Sequence, residues 1–147
     1  MLKTLPGLNI QWPWSSLILN GSKTVETRNY PLPKSYIHQD LFLVETPGPS
    51  KADGAPARAR IIGIVRFGEP FQYSSYSNWL KDKNRHKVSE RDTQYIFTGV
   101  TEKWGWPIEK IEPLDFPVEA PKKRGIKFTK SIAVKLRPHP VQNRQTR

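Results

Sequence analysis

Residues 10–33 read IQWPWSSLILNGSKTVETRNYPLP, and they hold the clearest structural signals of the chain. Pro13 suits the first turn of a helix and Asn20-Gly21 supplies a left-handed stop, so the segment between them predicts a helix of about two turns. The apolar residues of this segment recur at i, i+3 and i+4, which gives the helix one buried face. These residues are Trp14, Leu17 and Ile18.

The second half of this stretch, KTVETRN from Lys23 to Asn29, alternates in character and contains β-branched residues, which predicts a strand. Successive side chains of a strand point to opposite faces. Glu26 and Arg28 therefore share one face and can touch, whereas Lys23 belongs to the other face. Because Lys23 follows directly after the helix, its long stem can still curl into the same cleft.

Further strands are predicted at Leu41–Thr46, Arg58–Phe67, Ile108–Phe116 and Phe128–Leu136. Arg58–Phe67 has the strongest β character and is predicted to be central, whereas Pro113 makes Ile108–Phe116 a predicted edge strand. Ser77–Lys83 and Ser89–Ile96 each predict a short helix that begins at a serine. The expected fold is α+β and mainly β: a small, partly open barrel with a short N-terminal helix and short helices in the middle of the chain.

The length and composition suit one domain. The chain has 147 residues and no cysteine, so disulfides and thiolate metal sites are excluded. We expect the domain over residues 1–137 and a basic, flexible tail over residues 138–147. No apolar run reaches the roughly 18 residues of a membrane span, and we find no signal-peptide pattern, so a cytoplasmic location is expected.

Positive charge is concentrated in the C-terminal part of the chain. The net charge is +11, and residues 119–147 hold nine basic residues against one acidic residue, Glu119. Clustered positive charge attracts polyanions, most commonly nucleic acid. A solvated basic tail explains the composition equally well. If nucleic acid binds, the residues expected at its backbone are Lys122, Lys123, Arg124, Lys127 and Lys130.

The segment from Gly21 to Arg28, GSKTVETR, has the pattern Gly-x-Lys-x-x-Glu-x-Arg, and Pro13-Trp14 precede it. Together these features resemble the opening of ASCH domains, and Gly105-Trp106-Pro107 and Gly125 fit the later part of the family pattern. The resemblance covers residues 8–137. It implies a PUA-like β-barrel with a cleft between the barrel and the first helix.

The resemblance also implies a function. ASCH domains are generally taken to bind RNA or nucleosides, some members hydrolyse acetylated cytidine, and ribonuclease activity is attributed to others. Two positions depart from the family pattern: Trp12 stands where members often carry Gln, and Val44-Glu45-Thr46 stands where many end the second strand with His and small residues. We therefore expect a different cleft wall, and with it a different ligand.

The candidate ligand contacts lie around this motif. Lys23, Glu26 and Arg28 form its polar centre, because a carboxylate can accept from an exocyclic amine while cations hold a phosphate or an oxyanion. The flanking candidates are Trp12, Trp14, Asn29, Tyr30 and Trp106. Trp14 and Trp106 also suit the core. The alternative is that Glu26 and Arg28 form only an ion pair on the surface and bind no ligand.

If the protein is an enzyme, Lys23 and Glu26 are the expected catalytic residues of an amide hydrolysis. Lys23 would need its pKa lowered by roughly 3 units to accept a proton at neutral pH. Glu26 opposes that shift and Arg28 favours it, so burial would have to supply it. Glu26 as the base, with Lys23 or Arg28 beside the oxyanion, needs less tuning and is preferred. A ribonuclease is a third alternative, which the resemblance alone supports.

The expected ligand is thus RNA or a nucleoside, without a cofactor. No metal site is expected, because the histidines, His38, His86 and His139, show no ligand spacing and no paired acid. Membrane contact and an obligate protein partner are not predicted.

Overall fold

The computed structural model describes residues 1–48, 53–89 and 102–136. Within these ranges, strands and three short α-helices follow one another irregularly. In chain order the elements are β1 (Leu2–Gln11), α1 (Trp14–Leu19), β2 (Val25–Arg28), β3 (Asp40–Thr46), β4 (Arg60–Phe67), β5 (Phe71–Gln72), α2 (Tyr76–Lys81), α3 (Lys83–His86), β6 (Trp104–Glu119) and β7 (Phe128–Lys135). A 3₁₀ turn, Lys34–Tyr36, precedes β3.

The strands form one sheet in the order β2-β6-β4-β3-β1-β7, and β5 also pairs with β6. Strands β1 and β3 run parallel, and the other pairs are antiparallel. The mainly β fold with short helices is confirmed. However, the sheet is not closed into a barrel over the described residues, since its end strands β2 and β7 do not pair with each other. Strand β2 has four residues, so its free edge is too short for an extended ladder.

The first helix has the position and the end that the sequence predicted. It spans Trp14–Leu19, follows Pro13 directly and ends at Asn20. Gly21 then takes a φ of 85°, which glycine adopts without a steric penalty. Ile18 is fully buried in the main hydrophobic cluster, which joins the helix to the sheet. The helix end therefore leads the chain directly into Lys23 and β2.

Strand β6 is longer than predicted and lies inside the sheet. The predicted edge strand Ile108–Phe116 is part of the 16-residue strand Trp104–Glu119, which lies between β2 and β4. Pro113 pairs with Gly63 beside a shift in the register, where the ladder tolerates a missing N–H. A Cβ atom on Gly63 would lie 2.9 Å from the carbonyl oxygen of Glu112, so only glycine allows this approach.

The sheet is covered on both faces at its centre. Strand β4 lies between β6 and β3, as its composition predicted. Along β3, Leu41 and Leu43 join the cluster that contains α1, whereas Phe42 and Val44 join a second hydrophobic cluster. Alternate residues of one strand thus pack into separate clusters, which is why β3 is buried along most of its length.

The middle of the chain holds two consecutive short helices. Helix α2 replaces the predicted helix Ser77–Lys83, and Ser75 caps it by accepting the N–H of Asn78 at 3.1 Å. Helix α3 was not predicted. All of the predicted helix Ser89–Ile96 except Ser89 lies outside the described residues, and the predicted tail lies wholly outside them, so both remain predictions. No helix in the described ranges is long and apolar enough to cross a membrane.

Candidate functional site

A cavity of about 310 Å³ lies beside α1, β1 and β2. Several separate parts of the chain form its wall, including the residue Val88 after α3 and the residue Ile126 before β7. The lining residues are Asn9, Ile10, Gln11, Trp14, Lys23, Glu26, Thr27, Arg28, Thr46, Val88 and Ile126. Four of the predicted ligand contacts are among them: Lys23, Glu26, Arg28 and Trp14.

Lys23 connects α1 to β2 and turns its side chain into this cavity. Its backbone N–H donates to the carbonyl of Leu17 at 2.9 Å, so the residue follows the helix end closely. The residue is 1% exposed. Its ammonium nitrogen donates to the carbonyl of His86 and lies 3.5 Å from Glu26 Oε1. The lysine stem thus curls back to the carboxylate that follows it by three positions.

Glu26 and Arg28 form a close ion pair on β2. Arg28 Nε donates to Glu26 Oε2 at 2.7 Å. The other guanidinium nitrogens donate to the hydroxyl of Tyr30 at 3.1 Å and to the carbonyl of Asn9 at 2.9 Å. The guanidinium carbon lies 5.3 Å from the ring centroid of Trp106. Because Glu26 is only 6% exposed, this pair differs from an ordinary surface ion pair.

Burial and charge act in opposite directions on the protonation of this cluster. Burial is the main cause that lowers the pKa of Lys23; Glu26 opposes it and Arg28 adds to it. Burial would raise the pKa of Glu26, but Arg28 and Lys23 outweigh burial and lower that pKa. Glu26 is therefore ionised at neutral pH and held by Arg28. Of the two cations, Lys23 gives up its proton more readily, because the pKa of Arg28 is raised by Glu26.

His86 supports the position of Lys23. Its fully buried ring stacks on Trp79 with centroids 4.7 Å apart. The N–H of Val88 donates to Nδ1 at 3.0 Å, so in the neutral ring Nε2 carries the proton and donates to the carbonyl of Trp79 at 2.7 Å. Burial is the main cause that lowers the pKa of this ring. The ring thus fixes the segment whose carbonyl accepts from Lys23.

Lys103 is a second buried lysine, and sequence reasoning missed it. The residue is 4% exposed and lies immediately before β6. Burial is the main cause that lowers its pKa; Glu26 opposes this and Lys23 adds to it. Lys103 is not among the residues that line the cavity. The local sequence gives no sign of its burial. Its carbonyl accepts from the N–H of Tyr73 at 2.9 Å, so the residue lies where the chain after β5 meets the start of β6.

Glu45 fixes the first helix against β3. This fully buried carboxylate accepts from the hydroxyls of Ser15 at 2.6 Å and Ser16 at 3.0 Å, and from Arg60 Nε at 2.9 Å. The departure from the family pattern at Val44-Glu45-Thr46 therefore has two effects. Glu45 supports the helix that carries Trp14, whereas Thr46 lines the cavity.

The two tryptophans with alternative interpretations lie in different places. Trp14 is half-buried and lines the cavity, so it can contact a ligand. Trp106 is fully buried, and its ring packs edge-on against Tyr30 and Phe67 at centroid distances of 5.7 and 5.6 Å. Trp106 therefore lies in the core and does not line the cavity. Its place is set by β6, which pairs with β2 and β5 at this point.

The remaining flanking candidates lie outside the cavity. Trp12 packs toward the chain after β3, where a Cβ atom on Gly54 would lie 3.2 Å from its ring. Asn29 is exposed. Tyr30 holds the guanidinium of Arg28 through its hydroxyl, so its contribution is to position that side chain.

The basic segment between β6 and β7 runs along the cavity mouth. Asn9 Nδ2 donates to the carbonyls of Gly125 and Ile126, each at 2.9 Å. The ammonium of Lys127 lies 4.2 Å from the ring centroid of Tyr30. None of the five predicted contacts to a nucleic-acid backbone lines the cavity itself. Four of them are exposed, namely Lys122, Lys123, Lys127 and Lys130, and Arg124 donates to the carbonyl of Pro121.

The described residues hold no group of three or more side chains that could bind a metal ion. One histidine differs from the sequence expectation. His38 Nδ1 lies 2.8 Å from Glu109 Oε2, so this histidine does have an acidic partner. The pair lies on the surface, with 56% and 38% of the two side chains exposed.

Solved structures with a similar fold include those of ASCH from Zymomonas mobilis. A serine-to-alanine mutant of that protein matches with a TM-score of 0.62 and 19% identity, over 85% of this chain and 86% of that chain. The structure of ASCH from Zymomonas mobilis matches with a TM-score of 0.58 and 20% identity, over 78% of this chain and 72% of that chain. No family model and no curated protein matches the sequence.

The chain therefore has the fold of an ASCH domain, and the resemblance seen in GSKTVETR is confirmed at the level of the fold. At 19% to 20% identity the likeness concerns the fold alone. What the cavity binds has to be argued from the residues that line it.

Proposed function

We propose that this chain binds RNA by holding one nucleoside unit in the cavity. The observation that carries the proposal is the convergence of Lys23, Glu26 and Arg28 on a cavity of about 310 Å³. Buried charges cost free energy, and clusters of them with shifted pKa values are typical of binding and catalytic sites. The volume lies at the small end of the range for ligand pockets, which suits one nucleoside.

The polar groups of the cavity suit a base with an exocyclic amine. An ionised carboxylate accepts from the amine of cytosine, as in direct readout of nucleic acids. Glu26 Oε2 is occupied by Arg28, but Oε1 lies 3.5 Å from Lys23, which is longer than an ordinary hydrogen bond. Oε1 therefore keeps capacity to accept from a ligand. Trp14 supplies an apolar wall beside it.

The basic segment supplies attraction for the phosphate backbone. Lys122, Lys123 and Lys127 are exposed on the same connection that contributes Ile126 to the cavity mouth. Cations beside a base-sized cavity favour a nucleic acid over a neutral metabolite, because phosphates accompany each base.

Fluorescence anisotropy with a labelled oligocytidine tests this proposal. The affinity should fall steeply with salt, with a slope of about −0.7 for each phosphate contacted in a single strand. Lys23→Met should weaken binding by about tenfold or more, because a charged hydrogen-bond partner is lost. The control Lys34→Met removes an exposed lysine outside the cavity and should leave the affinity within about twofold. Binding that is insensitive to salt and to Lys23→Met would contradict the proposal.

The lowered pKa of Lys23 favours a second candidate function, the hydrolysis of an acylated pyrimidine nucleoside. The neutral amine would accept a proton from water while the water oxygen attacks the acyl carbon. The C–N bond then breaks, and the proton passes to the leaving amine. Glu26 is the poorer base here, because it accepts from Arg28 and its pKa is lowered. The site thus favours Lys23 as the base, whereas the sequence alone favoured Glu26.

Acetate release from 4-N-acetylcytidine tests this second function. The rate of acetate release should rise with pH, because the neutral amine is the reactive form. The inflection of this rise should lie below pH 10.5, the ordinary pKa of lysine. Lys23→Met should abolish the release. If the wild-type protein releases no acetate, hydrolysis is excluded and binding remains.

A further inference from the structure

Ile126 is an unusually exposed apolar residue at the cavity mouth. It is 92% exposed, the highest value among the exposed large hydrophobic residues of the described chain, yet it lines the cavity. An isolated exposed isoleucine is unremarkable on most surfaces. Its position beside the buried cluster of Lys23 and Glu26 makes it a feature that a bound ligand would cover.

The backbone around Ile126 is held in place. Its carbonyl accepts from Asn9 Nδ2 at 2.9 Å, and the N–H of Asn9 donates to the carbonyl of Lys127 at 2.9 Å. On the other side, the N–H of Gly125 donates to Thr129 Oγ1 at 3.1 Å. The exposed side chain is therefore presented by a fixed backbone, and a ligand that covers it does not first have to order this segment.

We propose that Ile126 is the platform for the base next to the one in the cavity, so that the ligand is a single-stranded oligonucleotide rather than a free nucleoside. The inference rests on the proposed function, and it adds a second base subsite. The flat face of a base can cover an aliphatic side chain and remove its apolar surface from water. A base in a duplex is already stacked on both sides, so only a single strand offers this face.

Charge on the same segment favours this occupant over an apolar peptide. Lys127 follows Ile126 directly, and its ammonium is held over the ring of Tyr30. Lys122 and Lys123 are exposed nearby along the chain. An apolar platform flanked by cations matches a base with its phosphates on either side.

The test compares cytidine monophosphate, the dinucleotide CpC and an oligocytidine of eight units by titration. Wild-type protein should bind CpC more tightly than the monophosphate. Ile126→Ala should weaken CpC and the oligomer by about fivefold, the low end of values for base stacking, and should weaken the monophosphate clearly less, since Ile126 contributes only one edge of the cavity. Ile126→Trp should tighten the binding of CpC, because an aromatic face stacks better than an aliphatic one. Leu2→Ala, a truncation of a 67% exposed leucine that does not line the cavity, is the matched control and should change nothing.

The two proposals fail in distinguishable ways. If oligomer binding depends on Lys23 but neither Ile126 variant alters it, the second subsite is excluded while the cavity remains a binding site. If binding to the oligomer is independent of Lys23, the proposed function itself is excluded. Equal loss of the monophosphate and of CpC in Ile126→Ala would also exclude the second subsite, since it would place Ile126 at the first base.

Discussion

The side-chain nitrogen of Lys23 donates a hydrogen bond to the carbonyl oxygen of His86, which lies 63 positions later in the chain. The His86 ring is fully buried and bonded through both nitrogens, to Val88 and to Trp79. The lysine at the centre of the cavity is therefore positioned by a helix that is remote in sequence. This relationship makes the ring of His86 a support of the site, although the ring does not line the cavity.

His86→Ala should destabilise the protein and weaken ligand binding together. Loss of a buried ring and of its two hydrogen bonds should lower the free energy of unfolding by about 2–4 kcal/mol. Urea unfolding and oligocytidine titration measure the two effects. His38→Asn is the control, because His38 is exposed and asparagine tolerates its φ of 61°. Unchanged affinity in a folded His86→Ala protein would show that the carbonyl stays in place without the ring.

Glu26→Gln should change how stability depends on pH. The folded-state pKa of Glu26 is lowered from 4.5, so the unfolded state takes up the proton first as the pH falls. The stabilisation by Glu26 is thus fully present above about pH 4.5 and is lost as the pH falls through the folded-state pKa. Glu26→Gln should remove this part of the acid dependence. At pH 7 it should cost about 3–5 kcal/mol, since buried cations lose their counter-charge.

Urea unfolding between pH 3 and pH 7 measures this effect, and Glu69→Gln, at an exposed position, serves as the control. The control should keep the wild-type pH dependence. If the free energy of unfolding falls equally with decreasing pH in Glu26→Gln and in the wild type, other carboxylates are responsible for the acid sensitivity.

Arg28→Lys should be damaging although it preserves the charge. Arg28 donates to Glu26, Tyr30 and Asn9 from three different nitrogens, and a lysine ammonium cannot reach all three. We expect a loss of about 1–3 kcal/mol in unfolding free energy and weaker oligocytidine binding. Arg58→Lys changes an arginine whose side chain is 79% exposed and should have almost no effect. Equal stabilities of the two variants would contradict the role given to Arg28.

Glu45→Ala should loosen the first helix. The carboxylate accepts from Ser15, Ser16 and Arg60, and Ser15 is fully buried, so its hydroxyl would lose its partner. A cost of about 2–4 kcal/mol is expected from the unsatisfied groups and the lost packing. Hydrogen exchange should become faster in α1. Glu119→Ala breaks an exposed Arg–Glu pair instead and should leave the exchange unchanged.

The centre of the site could be predicted because its geometry is local. The alternation along a strand brings Glu26 and Arg28 together, and the helix stop at Asn20-Gly21 brings Lys23 beside them. The same local signals predicted α1 and the central position of β4. The cluster and α1 depend on contacts between residues that are close in sequence, and the position of β4 follows from the strong β character of its own segment.

The supports of the site could not be predicted, because they depend on pairing between distant segments. His86 reaches Lys23 from α3, and Lys103 is buried where the chain after β5 meets the start of β6. The burial of Trp106 also depends on pairing between distant segments, since β6 pairs there with β2 and β5. This is why the sequence left its role open. The prediction that Ile108–Phe116 is an edge strand was wrong for a related reason. Pro113 lies beside a register shift inside the sheet, where a proline is tolerated.

A crystal soaked with cytidine tests the central claim most directly. We expect the cytosine ring in the cavity, with its exocyclic amine about 2.7–3.2 Å from Glu26 Oε1 and the side chain of Lys23 within contact distance. A ring bound elsewhere on the protein, with the space between Trp14 and Glu26 still open, would contradict the account.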